Sequence, residues 1–174
     1  MIASLAGSAT AGTFNEFEGN NSLVTANDIG IFDQPGGSVV ISADLGDNDV
    51  DWFSFTLANT ATLSFFAAFS PDDGDGVLQV VSDTGDVFAF DDDSGVAFLP
   101  SLQLVDLSAG TYFVGFSGFG DADATSVATD ELFDGIGHTE NFTYKLAIGF
   151  SVIPAPSSAA LLGLGGLLAA RRRR

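Results

Sequence analysis

The sequence predicts an all-β protein: a single antiparallel β-sandwich of jelly-roll type with about eight short strands, followed by a hydrophobic C-terminal helix. Three observations predict it. Side chains alternate apolar and polar at period two rather than at the helical period of about 3.6. Clusters of Asp, Gly, Pro and Ser separate the alternating runs. Seventeen Phe supply the bulky inward side chains that two facing sheets need.

The runs follow in chain order. The first lies at 38–43. At 50–57, Phe53, Phe55 and Leu57 fall on one face and Trp52, Ser54 and Thr56 on the other. Further strands are expected at 60–69, 77–82, 86–91 and 101–107. At 111–117, Tyr112, Val114 and Phe116 point inward. The cleanest run is 141–150, with Phe142, Tyr144, Leu146, Ile148 and Phe150 on one face. Pro71-Asp72-Asp73-Gly74, Thr84-Gly85-Asp86, Asp93-Ser94-Gly95 and Ser108-Ala109-Gly110 mark the turns between them. Residues 22–27 read as a helical turn. The stretch 119–140 is acidic, lacks alternation and reads as a long loop, a place where function or mobility often resides. Phe66, Phe113 and Phe119 fall out of phase with the inward faces, so they stack on a ligand or pack under a loop.

Charge narrows the function classes. The chain of 174 residues has 23 Asp+Glu against 5 Lys+Arg, a formal net charge of −18. Four of the five basic residues are Arg171, Arg172, Arg173 and Arg174; Lys145 is the other. So little positive charge cannot neutralise phosphates, which argues against nucleic acid as a partner. No Cys is present, which removes disulfide scaffolds and thiolate metal sites, and one His removes multi-His centres. A chain that is 46% hydrophobic has ample material for a core despite its charge.

The two ends read as export signals. Residues 156–170 carry no charge, and with 152–155 they just reach the length of a membrane span, about 17 residues. Pro154 and Pro156 break the start of this segment, and the Arg cluster that follows should remain cytoplasmic. The other reading is a short buried helix with a basic cap. Pro154-Ala155-Pro156, the apolar segment and the terminal Arg cluster resemble the PEP-CTERM sorting signal of Gram-negative bacteria, with Ala155 where that family has Glu. The resemblance implies processing by an exosortase-type enzyme of the inner membrane, with the tail as an address. At the other end, 1–11 is small and apolar, and Ala9-Thr10-Ala11 fits a signal-peptidase site. It reads as the end of a secretory signal, or else as an ordinary N-terminus. The expected organisation is a partial signal peptide at 1–11, a sandwich domain at 12–151 and a sorting tail at 152–174.

Three further motifs resemble the bacterial pre-peptidase C-terminal domain family, to which the collagen-binding domains of clostridial collagenases belong. They are Asp49-Val50-Asp51-Trp52-Phe53-Ser54-Phe55, Phe90-Asp91-Asp92-Asp93-Ser94-Gly95 and Ala109-Gly110-Thr111-Tyr112-Phe113-Val114. The resemblance spans about 16–150 and implies a β-sandwich that is usually a non-catalytic appendage.

The carboxylates are clustered. Glu16-Phe17-Glu18-Gly19-Asn20-Asn21 places two acids and two amides in six residues, and Asp44, Asp47, Asp49 and Asp51 lead into a strand. Hard oxygen donors without His or Cys suit Ca²⁺ and not Zn²⁺, although the same acids could simply solvate a loop. The first stretch resembles the segment that supplies calcium ligands in the collagen-binding relatives, and the second resembles the other half of that site. The resemblance therefore implies a Ca²⁺ ligand set of Glu16, Glu18, Asn20, Asn21, Asp49 and Asp51, with Asp47 in reserve. Asp72-Asp73-Gly74-Asp75-Gly76 opens like an EF-hand loop but lacks its closing Glu, and with Asp91-Asp92-Asp93 it reads as solvated turns.

Catalysis has little support. His138 sits in the polar loop, and no Ser lies in a nucleophile elbow. The chain is therefore read as a non-enzyme: an exported protein of the cell surface or extracellular matrix, a calcium-stabilised module sorted through its tail. Extracellular polysaccharide or a matrix protein would be its partner. The alternative is a module that binds an extracellular glycan or protein through the 119–140 loop.

Overall fold

The computed structural model describes residues 10–68, 74–121 and 131–153. They form ten strands: β1 (Thr10–Asn15), β2 (Asn27–Phe32), β3 (Gly36–Leu45), β4 (Val50–Leu57), β5 (Ala61–Ala68), β6 (Gly76–Ser82), β7 (Val87–Asp91), β8 (Ser101–Leu107), β9 (Gly110–Gly118) and β10 (Phe142–Val152). Two five-stranded sheets face each other. One has the order β1-β3-β10-β5-β8, the other β2-β4-β9-β6-β7. Every expected strand is present within a few residues of its expected bounds.

Three expectations are corrected. The sandwich is mixed and not purely antiparallel, because β1 runs parallel to β3 and β2 parallel to β4 at one edge of each sheet. These two strands bring the total above the expected eight. β2 shows little alternation because its pairing is irregular: three of its six residues are half-buried, and Gly30 at φ 101° lies in its register shift. Residues 22–27 form a turn, closed by Thr25 N–H donating to Ser22 O at 3.0 Å, and Asn27 already begins β2. Among the described residues there is no helix, and none long and apolar enough to cross a membrane. The expected C-terminal helix, with Pro154, Ala155, Pro156 and Arg171–Arg174, lies outside the described residues. β1 begins inside the segment that reads as a signal-peptidase site.

The main core lies between the sheets. Phe53, Phe55 and Leu57 of β4 and Tyr112, Val114 and Phe116 of β9 meet Ile41, Leu45, Leu63, Phe65, Leu146 and Ile148 from the other sheet. Each such side chain contributes roughly 1.5–3 kcal/mol when fully buried. β10 lies at the centre of its sheet, in register with β3 on one side and β5 on the other.

A second core sits on the outer face of the β4–β9–β6 sheet. Val50, Trp52, Val77, Val81 and Phe133 are buried together there. The segment 131–134 covers them as a lid. Trp52 Nε1–H donates to Phe133 O at 3.3 Å, Gln79 Nε2–H donates to Glu131 O at 2.9 Å, and Phe133 N–H donates to Gln79 Oε1 at 3.4 Å. Phe113 packs into this cluster, whereas Phe66 and Phe119 are exposed.

Candidate metal centre

One end of the sandwich gathers acids from both sheets. The β1–β3 ladder runs one residue past β1, with Glu16 N–H donating to Ser42 O at 3.0 Å. This fixes Glu16 at the end of an edge strand. Its carboxylate accepts the Asp44 N–H on Oε2 at 3.0 Å and Asn20 Nδ2–H on Oε1 at 2.8 Å. Gly19, at φ 97°, supplies the left-handed residue that brings Asn20 back towards Glu16. Asn20 O then accepts the Trp52 N–H at 3.0 Å, which stitches this turn to the start of β4.

Asp51 waits at that point. It shares the inward phase of β4 with Phe53, Phe55 and Leu57, so it occupies a core position and is 0% exposed. Phe116 lies opposite it in the register with β9, stacked on Tyr144 with ring centroids 3.9 Å apart. The Tyr144 hydroxyl donates to Asp51 Oδ2 at 2.8 Å. Burial raises the Asp51 carboxyl well above the usual carboxylate range, and the Glu16 carboxyl bonded beside it adds to the rise. Burial, then Glu16 and Asp49, also raises Glu18. Burial and Asp51 push the Tyr144 phenol up as well.

One carboxylate oxygen each from Glu16, Glu18 and Asp51 lie within 4.8 Å of one another. Beside them, Asp51 Oδ1 and Asn20 Oδ1 are buried, and no neighbouring donor reaches either. An unpaired buried acceptor costs about 1–3 kcal/mol. Three carboxylates beside two buried oxygens that no donor reaches are the kind of oxygen set that suits a hard cation.

The other expected ligands are near but differently engaged. Asn21 Nδ2–H donates to Asp49 Oδ1 at 2.6 Å, and Asp49 also accepts the Val50 N–H at 2.9 Å and the Gly46 N–H at 3.2 Å. Asn21 and Asp49 thus brace the β3–β4 turn beside the centre. Asp47 is exposed in that turn and is not among the three converging acids.

The polar loop holds this turn from behind. His138 is buried, and its Nε2 lies 2.7 Å from Asp49 O. Asn48, at φ 53°, accepts the Gly137 N–H on Oδ1 at 3.1 Å. Ser117 Oγ–H donates to Asp121 Oδ2 at 2.6 Å, which also accepts the Gly135 N–H at 3.0 Å. Ser117, His138 and Asp121 are all buried.

A second acidic group was not visible as a unit in the sequence. Oxygens of Asp75, Asp92 and Asp93 lie within 4.8 Å of one another, and Glu140 Oε2 accepts the Asp75 N–H at 3.2 Å. Burial, then Asp92, Asp93 and Glu140, raises Asp75 to about 6. Burial and Asp93 raise Asp92. These positions read separately as solvated turns because the fold, not their spacing, brings them together.

Fold and site together define a class: a two-sheet β-sandwich with an oxygen-donor centre at one end. No family model matches the chain, and neither does any curated protein. Among solved structures it is similar to the pre-peptidase C-terminal domain of a collagenase from Bacillus anthracis, at 13% identity and a TM-score of 0.45, over 71% of this chain and 93% of that one. It is also similar to two periplasmic inhibitors of g-type lysozyme. The one from Aeromonas hydrophila has 10% identity and a TM-score of 0.46, over 83% of this chain and 100% of that one. The one from Salmonella Typhimurium has 9% identity and a TM-score of 0.42, over 72% and 99%.

Proposed function

We propose that this is an exported, non-catalytic β-sandwich module of the cell surface or extracellular matrix, stabilised by Ca²⁺ at the Glu16–Glu18–Asp51 centre. One observation carries the metal reading: Asp51 and Asn20, both 0% exposed, keep buried oxygens that no neighbouring donor reaches, beside two further carboxylates. Glu16, Glu18, Asp51 and Asn20 would hold the ion, with Asn21 and Asp49 bracing the turn. A bound divalent cation would satisfy both orphaned oxygens and cancel the repulsion among the acids. Because Glu16 belongs to one sheet and Asp51 to the other, the ion would also tie the sheets together at this end.

Melting of the full chain in EDTA, in Mg²⁺ and in Ca²⁺ at fixed ionic strength tests this. A ligand held only by the folded state adds about 2.7 kcal/mol at a hundredfold excess over Kd. The expected result is a rise of several degrees with Ca²⁺ that Mg²⁺ does not reproduce and that Glu18→Gln with Asp51→Asn abolishes. Equal responses to both cations would reduce the centre to a screened acidic surface.

Delivery rests on the tail. The Pro154-Ala155-Pro156 box, the uncharged segment and Arg171–Arg174 support transient anchoring in the inner membrane and processing by an exosortase-type enzyme. Replacing the four Arg with Ser is expected to leave an unprocessed or mislocalised chain. Cell fractionation showing unchanged size and location would remove the sorting signal from this reading.

A further inference from the structure

The geometry points to a binding site for a neutral sugar on the open side of the metal centre, with the cation and Lys145 as its two anchors. This rests on the calcium reading above and names the ligand class that the same end of the sandwich would take. A hollow of about 330 Å³ lies beside the centre and shares Glu16 and Glu18 with it. Asn15, Ser42, Thr143 and Lys145 are among its other polar walls. The volume lies at the lower end of small-molecule sites, about 300–1,000 Å³.

Coordination chemistry leaves room for an outside ligand. Ca²⁺ takes about six to eight oxygens. Glu16, Glu18, Asp51 and Asn20 are four side chains, and each Glu16 oxygen already accepts an N–H. Asp51 and Asn20 are buried and close the protein side, whereas Glu16 and Glu18 face the hollow. Coordination positions of a bound ion left over by the protein would then be supplied from the hollow, across Glu16 and Glu18. Vicinal hydroxyls can replace water there as paired oxygens without adding charge. Further hydroxyls of the same ring would meet the Lys145 amine, the Ser42 and Thr143 hydroxyls and the Asn15 amide, all of which can donate to a sugar oxygen.

Charge selects neutral over acidic sugars. Asp44 also lines the hollow. With Glu16, Glu18 and Asp51 it outweighs a divalent ion plus Lys145, on a chain whose net charge is −18. A uronate polymer would approach against that field. A neutral ring meets no such barrier and still finds a cation, an amine and two hydroxyls.

Calorimetric titration of the full chain with neutral hexasaccharides of mannose, galactose and glucose, and with hexagalacturonate, tests the site in excess Ca²⁺ and in EDTA. The expected result is binding of at least one neutral sugar in Ca²⁺, lost in EDTA and weakened about tenfold or more by Lys145→Met, about 1.4 kcal/mol. The Ca²⁺-induced rise in melting temperature should persist in Lys145→Met. A Ca²⁺ response without binding of any neutral sugar would overturn the sugar site and leave the metal centre standing. Sugar binding that survives EDTA would overturn the bridging cation, and binding of hexagalacturonate alone would overturn the charge argument. Absence of any Ca²⁺ response would remove the metal centre and this site with it.

Discussion

In EDTA, mild acidification from pH 7 towards pH 4 is expected to stabilise the protein. The sign follows from proton binding. Asp51 has a folded pKa far above its unfolded value of 3.8, because burial and its bonded Glu16 neighbour disfavour the anion. Between those two values the folded state holds a proton that the unfolded state has released, so stability falls as pH rises through that window and returns as pH falls. One such buried group changes stability by about 1.4 kcal/mol per pH unit. Over three units this is about 4 kcal/mol, or on the order of 10 °C in a chain of this size. Asp75, raised to about 6, acts in the same direction below that pH. Ca²⁺ should reverse the slope, since it requires ionised ligands and protons then compete with it. Asp51→Asn should flatten the slope in EDTA, raise the melting temperature at pH 7 and abolish the Ca²⁺ response. An amide there can donate to Glu16 without binding a proton. Melting temperatures of both proteins across this range, with and without Ca²⁺, make the check. A wild-type melting temperature in EDTA that falls steadily with acidification would show that Asp51 is not held protonated.

Phe133→Ala is expected to cost about 3–5 kcal/mol, the usual range for emptying an aromatic position in a core. Phe133 is 2% exposed and sits against the Trp52 ring, with centroids 6.4 Å apart. Deleting 122–136 should be worse, because it removes Phe133 and also Gly135. The latter has φ 78° and passes so close to the Asp49 backbone that a Cβ would lie 2.7 Å from Asp49 C. A dispensable binding loop would instead leave the melting temperature nearly unchanged. Trp52 is the sole Trp, so its emission should move to the red when the lid is lost. Unshifted emission and an unchanged melting temperature in Phe133→Ala would show that 131–136 merely touch the sheet.

Much of the fold was legible because its central strands bury one face and expose the other, or nearly so. The run 141–150 is the clearest example: Phe142, Tyr144, Leu146 and Ile148 are buried, whereas Thr143 and Lys145 are exposed. Alternation fails in the two parallel edge strands and where a strand is covered on both faces. β1 and β2 are the first kind. β6 is the second, buried along its whole length and still identifiable from its apolar run between turns. Nothing in the composition of 131–134 announces a lid, because a lid is defined by the face beneath it. The acids at Glu16–Asn21 and Asp49–Asp51 stood out by chemistry. A stronger signal lay in the phase of β4, where stepping back from Phe55 and Phe53 lands on Asp51. An acid at an inward position separates a candidate ligand from a solvated turn. The Asp75–Asp92–Asp93 group offered no such signal, since its members come from separate turns.

The position of β10 has a consequence for the order in which the molecule can assemble. As the chain leaves the ribosome or a translocation pore, β1 and β3 emerge early and β5 and β8 follow, yet β10 stands between the two pairs. Until residues 142–152 have appeared, that sheet exists only as two separated halves, each with an unpaired border facing the gap. The hydroxyl that meets Asp51 belongs to Tyr144 of the same late strand. The Glu16–Glu18–Asp51 group gains its Tyr144 contact and the sheet its middle strand in one late step, after the other sheet already has all five of its strands.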